Sequence, residues 1–191
     1  MQSRPITDFT EDWTTTHFPI WKRLLAEHHG GLRTGLEIGS FEGRSAAFWL
    51  EHLQALHLTC VDLFAYTDGF FPTRIGTPFA DRFDENLAPY KGRYTKVVSD
   101  SASALSRFVA EKKLFDLIYV DGSHFRDSMV DCLLAWKILD QQGLMIIDDY
   151  LWGWQHPPHG RPKEAIEWFI GTRLSELDIV HNGIQIAIRK R

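Results

Sequence analysis

Short apolar runs recur along the chain at Thr34 to Ile38, Leu58 to Val61, Tyr94 to Val98, Phe115 to Val120 and Leu144 to Ile147. Each is short and predominantly apolar, which is how buried strands of a parallel sheet read. Between them lie stretches with helical spacing: Arg44 to Leu56, Arg82 to Ala88, Ala102 to Lys112, Phe125 to Gln141 and Pro162 to Gly171. Parallel strands need crossovers that cover the sheet, so this alternation predicts a Rossmann-like, doubly wound α/β sheet in three layers, α/β/α. Near the end, Asp178 to Val180 and Ile184 to Ile188 flank His181-Asn182-Gly183, a hairpin signal that closes the sheet with an antiparallel C-terminal strand. Phe18 to His29 reads as an amphipathic helix that caps the sheet or covers a ligand mouth. The expectation is one domain over residues 1–191 with an N-terminal helical cap over roughly the first thirty residues.

Composition narrows the function. The formal net charge of −4 over 191 residues supplies no basic footprint for a phosphate backbone, so nucleic acid is not an expected partner. No apolar run reaches the roughly 20 residues needed to cross a bilayer, and Gln2, Ser3 and Arg4 follow Met1 without a signal core. The expectation is a cytoplasmic protein without a membrane partner, homo-oligomerisation being left open. Cys60 and Cys132 lack metal-type spacing and read as buried thiols. Seven Trp and thirteen Phe, several in loops between strands, point to a site lined by rings.

The chemistry concentrates where strands end. Glu37-Ile38-Gly39-Ser40-Phe41-Glu42-Gly43-Arg44-Ser45 leaves a strand, turns through two glycines and enters a helix. Glycine lets backbone approach a ligand at the carboxyl edge of the sheet, where α/β proteins bind cofactors. The turn lacks the third glycine of a dinucleotide fingerprint, which disfavours a nicotinamide oxidoreductase. Glu37 beside the turn would welcome a cationic ligand without a pyrophosphate, and S-adenosylmethionine (SAM) is one. Asp62, about 20 residues on, stands where acidic residues take ribose hydroxyls. Both carboxylates could instead serve as caps or loop residues.

This turn resembles the SAM-binding first motif of class I methyltransferases, with Glu37, Gly39, Ser40 and Gly43 in the cofactor-binding positions. Tyr119-Val120-Asp121-Gly122-Ser123-His124, followed by Ile146-Ile147-Asp148-Asp149-Tyr150, is similar to a subgroup of small bacterial enzymes and metal-dependent macrolide-sugar O-methyltransferases. Catechol and caffeoyl-CoA O-methyltransferases are more distant relatives. The resemblance implies that Asp100 or Ser101 reaches the adenine, although either could be a helix N-cap. It further implies that Asp121, Asp148 and Asp149 hold Mg²⁺ or another divalent cation. Three hard oxygen ligands at neighbouring strand ends suit such an ion, and without one they repel. Asp121 and His124 are then the catalytic residues, His124 as general base toward a hydroxyl of a small-molecule substrate, with a helix-capping role as the alternative. Phe64 to Phe79, with Tyr66, Phe70, Phe71 and Pro72, is expected to form a lid. Trp152 to Lys163 is expected to bring Trp154, His156, His159 and Arg161 to the same edge. The implied activity is metal-assisted O-methylation of a sugar or aromatic hydroxyl. A metal-independent O- or N-methyltransferase and a non-catalytic SAM-binding module are the alternatives.

Overall fold

The computed structural model describes residues 9–28, 31–65, 79–122 and 128–191. Seven strands run β1 Thr34–Ile38, β2 His57–Asp62, β3 Tyr94–Val98, β4 Phe115–Val120, β5 Leu139–Ile147, β6 Leu177–Asn182 and β7 Ile186–Lys190. They form one sheet in the order β3-β2-β1-β4-β5-β7-β6. The first five are parallel, while β7 runs antiparallel to both β5 and β6. Among the described residues six α-helices accompany them: α1 Phe18–Glu27, α2 Arg44–His52, α3 Phe79–Leu87, α4 Ser101–Ala110, α5 Ser128–Ile138 and α6 Pro162–Gly171.

The period-2 side-chain alternation of β1, β4 and β5 splits the core into two layers. Ile38, Ile118, Val120, Met145 and Ile147 pack with Leu105 and Phe108 of α4, Trp136 of α5 and Phe169 of α6. On the other face Leu58, Cys60, Leu117, Tyr119 and Ile146 pack with Trp21 of α1, Trp49 of α2 and Phe83 of α3. The predicted three-layer fold is therefore present. The α1 helix lies flat on the sheet: Trp21 stacks on Trp49 at 4.4 Å and donates its indole N–H to Gln185 at 2.8 Å. Both cysteines are buried and free.

Boundaries differ from the sequence reading where local geometry overrides periodicity. Helix α2 stops at His52, because Leu53 leaves helical geometry at φ −116°, ψ 84°. Helix α5 passes directly into β5 at Leu139, and the first residues assigned to that helix lie outside the described residues. Leu139 pairs with Phe115, then the register shifts so that Leu144 meets Leu117, accommodating the polar stretch Asp140 to Gly143. The hairpin turn falls one step later than Asn182-Gly183 indicates. Asn182 pairs with Ile186, leaving Gly183-Ile184-Gln185 as the loop, closed by Gly183 N–H donating to the Gln185 carbonyl at 2.9 Å. Ile184 thereby becomes a turn residue. Among the described residues no helix is long and apolar enough to cross a membrane.

Candidate active site at the carboxyl edge of the sheet

The β1 and β4 strands end side by side, and their junction fixes the first turn. Gly39 adopts φ +83°, and a Cβ there would stand 1.9 Å from the backbone oxygen of Asp121. Gly43, at φ +82°, precedes α2, and its Cβ would press on Phe83 at 3.0 Å. Both glycines thus answer to protein neighbours as well as to any ligand. Ser40 is buried between them.

Asp62 at the end of β2 ties two turns together. Its carboxylate accepts the backbone N–H of Phe41 at 2.9 Å and of Phe64 at 2.8 Å. Phe41 and Phe64 are held at φ 45° and 50°, a region that side chains other than glycine seldom occupy. Asp100 is the N-cap of α4, accepting Ser103 N–H at 2.8 Å, which holds its carboxyl below the usual range. The capping alternative for Asp100 is therefore present, and Ser101 opens the same helix.

Glu37 is fully buried, and neither carboxyl oxygen accepts a well-formed hydrogen bond. Burial pushes its carboxyl up to about 7, opposed by the nearby polar groups of Ser45 and Ser40 and assisted by the charge of Asp62. The polar atoms of Ser40 and Trp49 are likewise buried without partners. A fully enclosed carboxyl group with unsatisfied neighbours suits a cationic or hydrogen-bonding ligand.

The acidic group at the ends of β4 and β5 assembles only in part. Asp121 and Asp148 share the hydroxyl of Tyr119, which donates closely to Asp148 Oδ2 and lies 3.3 Å from Asp121 Oδ2. Asp148 Oδ1 accepts the backbone N–H of Asp149 at 2.7 Å. Burial drives Asp121 well above the usual carboxylate range, with the charges of Asp148 and Asp149 adding to it. Burial also raises Asp148, partly offset by the Tyr119 hydroxyl. Asp149 turns the chain at φ 56°. Among the described residues no three His, Cys, Asp or Glu side chains are grouped to hold a metal ion: Asp121 and Asp148 meet at the Tyr119 hydroxyl, and Asp149 follows in the turn. The paired, charge-burdened oxygens of Asp121 and Asp148 do suit a hard cation, or a proton shared through Tyr119.

These residues open on a cavity of about 370 Å³ whose wall includes Gly39, Ser40, Asp121, Asp148 and Asp149. Its remaining wall comes from a segment that the sequence reading treated only as a helical cap, residues 9 to 17. Thr10 donates its backbone N–H and its hydroxyl to buried Glu42 at 2.7 and 2.6 Å. Asp12 pairs with Arg44 at 2.8 Å, and the Trp13 ring lies 5.3 Å from that of Phe41. Phe9, Trp13 and buried His17 therefore line the cavity. Trp152 and Ile184 complete the wall. Trp154, in contrast, is 80% exposed, Arg161 is engaged by Glu164, and His156 packs on Trp152 with ring centroids 5.6 Å apart. The His159 side chain, His124 and most of the anticipated lid, including Tyr66, Phe70, Phe71 and Pro72, lie outside the described residues.

Tyr119 was the legible residue left unused. It stands two positions before Asp121 on a strand, so the two side chains share a face. The roles of Glu42 and of residues 9 to 17 depend on contacts across more than thirty positions, as the Thr10 to Glu42 separation of 32 illustrates, and no local pattern marks them.

Residues 36–150 match the sequence model of the family described as "Methyltransferase domain". The chain belongs to that family, which places it among the SAM-dependent methyltransferases. No curated protein matches it. Solved structures share the fold. The O-methyltransferase from Bacillus cereus in complex with S-adenosylhomocysteine (SAH) superposes with a TM-score of 0.69 at 17% identity, covering 95% of this chain and 84% of that one. The O-methyltransferase TomG from Streptomyces achromogenes, involved in tomaymycin synthesis and bound to SAM, gives 0.68 at 16% identity, over 98% and 83%. The SAH-bound methyltransferase PaMTH1 from Podospora anserina gives 0.61 at 18% identity, over 90% and 76%.

Proposed function

We propose that the protein methylates a hydroxyl oxygen of a small molecule, with SAM as donor, and that a divalent cation assists. The observation that carries this reading is the abutment of the glycine turn on the acidic pair: Asp121 donates its N–H to the Ile38 carbonyl at 2.8 Å, immediately before Gly39. Cofactor turn and acidic pair thus share one cavity. SAM would supply an electrophilic methyl group, and a cation at Asp121, Asp148 and Asp149 would lower the pKa of the acceptor hydroxyl. Glu37, Gly39, Ser40, Gly43 and Asp62 are assigned to the cofactor, with Asp100 and Ser101 toward its base. His124, three residues beyond Asp121, is assigned as the group that takes the hydroxyl proton. The acceptor hydroxyl sits on a sugar or an aromatic ring, as the likeness to macrolide-sugar enzymes suggests. The protein-side work is to orient the oxygen and exclude water, which Tyr119 supports by holding Asp121 and Asp148 in fixed positions.

A second reading is favoured by the Tyr119 bridge itself, since a shared proton relieves the repulsion between Asp121 and Asp148 as a cation would. One experiment separates the two. With a panel of phenolic and glycoside acceptors, methyl transfer from SAM should be abolished by EDTA and by Asp148→Asn, while SAH affinity in calorimetry stays nearly constant. His124→Ala should lower kcat by roughly 10² to 10⁴. Full activity in EDTA would leave the metal-independent enzyme as the account, and absence of SAH binding would overturn both.

A further inference from the structure

We infer that the acceptor is an uncharged molecule with an extended apolar body, a fused aromatic system rather than a free sugar, seated on Trp13 and Ile184 with its hydroxyl directed to the acidic pair. The inference rests on the methyltransferase reading and names its substrate class. Large apolar side chains scattered singly over a surface carry no meaning, but convergence on one cavity mouth does. Trp13 is 54% exposed, Ile184 61% and Leu151 45%. Trp13 and Ile184 line the cavity together, and Leu151 N–H lies 3.4 Å from the Ile184 carbonyl, which brings the segment after β5 against the β6–β7 turn. The rim is also held in advance of binding. The Thr10 bonds to Glu42 and the Asp12 pair with Arg44 anchor the segment that carries Trp13. Rigid apolar groups displayed to water gain most from an apolar ligand, because little conformational freedom is lost on contact.

The wall beneath the rim excludes other classes. Glu11, Glu42, Asp121, Asp148 and Asp149 are all among the residues that line the cavity. Among its described lining residues Arg44 is the one permanent cation, and Asp12 and Thr15 already occupy its guanidinium. A carboxylated, sulfonated or phosphorylated acceptor would bring its anion against these carboxylates, and among the described lining side chains only the already engaged Arg44 is a permanent cation to oppose it. A free sugar would set hydroxyls against the Ile184 side chain, which offers no hydrogen-bond partner.

The test uses the full chain saturated with SAH and four probes that share a vicinal diol: catechol, 2,3-dihydroxynaphthalene, its 6-sulfonate and methyl α-glucoside. Calorimetry should give 2,3-dihydroxynaphthalene a Kd at least about tenfold below that of catechol, since the second ring adds apolar contact area. The sulfonate should bind about tenfold more weakly than its parent, and the glucoside should show no heat of binding. Ile184→Ser and Trp13→Ser each remove an exposed ring or branch and should weaken the naphthalenediol about fivefold or more, with SAH affinity of Ile184→Ser unchanged. Equal affinity for sulfonate and parent, preference for the glucoside, no binding of the naphthalenediol, or indifference to both substitutions overturns the inference. Failure to bind SAH at all overturns the methyltransferase reading and takes the inference with it.

Discussion

Ionised, the carboxyl group of Glu37 is fully buried without a well-formed donor, so its charge is unfavourable in the folded chain. Its folded value of about 7 lies above the ordinary 4.5, so the folded protein binds a proton that the unfolded chain has released over that interval. The associated stability is fully present below the unfolded value and is lost as pH rises through the folded one. That interval corresponds to a loss on the order of 3 kcal/mol. Glu37→Gln should therefore match wild type in thermal unfolding near about pH 4 and exceed it at about pH 8. Equal pH profiles would show that Glu37 ionises without penalty. A cationic ligand beside Glu37 reverses the balance, so SAM binding near neutral pH should release protons, detectable as a dependence of calorimetric heat on buffer. Gly39 makes a sharper steric case. A methyl group 1.9 Å from the Asp121 carbonyl cannot be relieved by a rotamer change, and φ +83° disfavours any side chain. Gly39→Ala should lower stability by roughly 3 kcal/mol or more, read as a fall in Tm. The sequence marks Gly39 as a turn at a strand end, whereas its contact with Asp121 emerges only once β1 and β4 are neighbours.

Residues 9 to 17 belong to the site through α2 and the turn before it. The Asp12 and Arg44 side chains are 48% and 25% exposed, so the pair contributes under about 1 kcal/mol to global stability. Its effect is local. Arg44→Ala should leave Tm nearly unchanged yet accelerate chymotryptic cleavage at Phe9 and Trp13, because Arg44 also sits over the Phe9 ring at 4.8 Å. Unaltered cleavage would show that Thr10 and Glu42 suffice. Legibility at this scale followed burial. The β1 and β4 ranges coincide with their apolar patterns because both faces of these inner strands are buried, and the half-exposed edge strand β3 and helix α6 match as well. The β5 start was hidden because Asp140 to Gly143 are polar and lie in the register shift. The hairpin was misplaced because Asn182 continues the β6 ladder.

For the whole molecule, the charge gathered at one sheet edge links metal, pH and stability. If Asp121 and Asp148 share a cation, titrating MgCl₂ or MnCl₂ at about pH 8 should raise Tm, by the equivalent of roughly 2.7 kcal/mol at a hundred times Kd, and Asp148→Asn should remove the rise. A flat titration would assign the pair to the shared proton. The fold was legible from the alternation of apolar strands and helices, and the neighbouring positions of Asp121 and Asp148 from the strands they end. The way Tyr119 divides the three carboxylates was not, because it depends on side-chain rotamers. The reversed direction of β7 has a practical consequence. Leu144, near the entry of the parallel β5 segment, pairs with Arg189, and Arg191 donates its N–H to the Glu176 carbonyl at 2.9 Å. The last residue therefore sits at the edge opposite the cavity. An affinity handle or surface linkage attached at Arg191 holds the protein with its mouth facing outward.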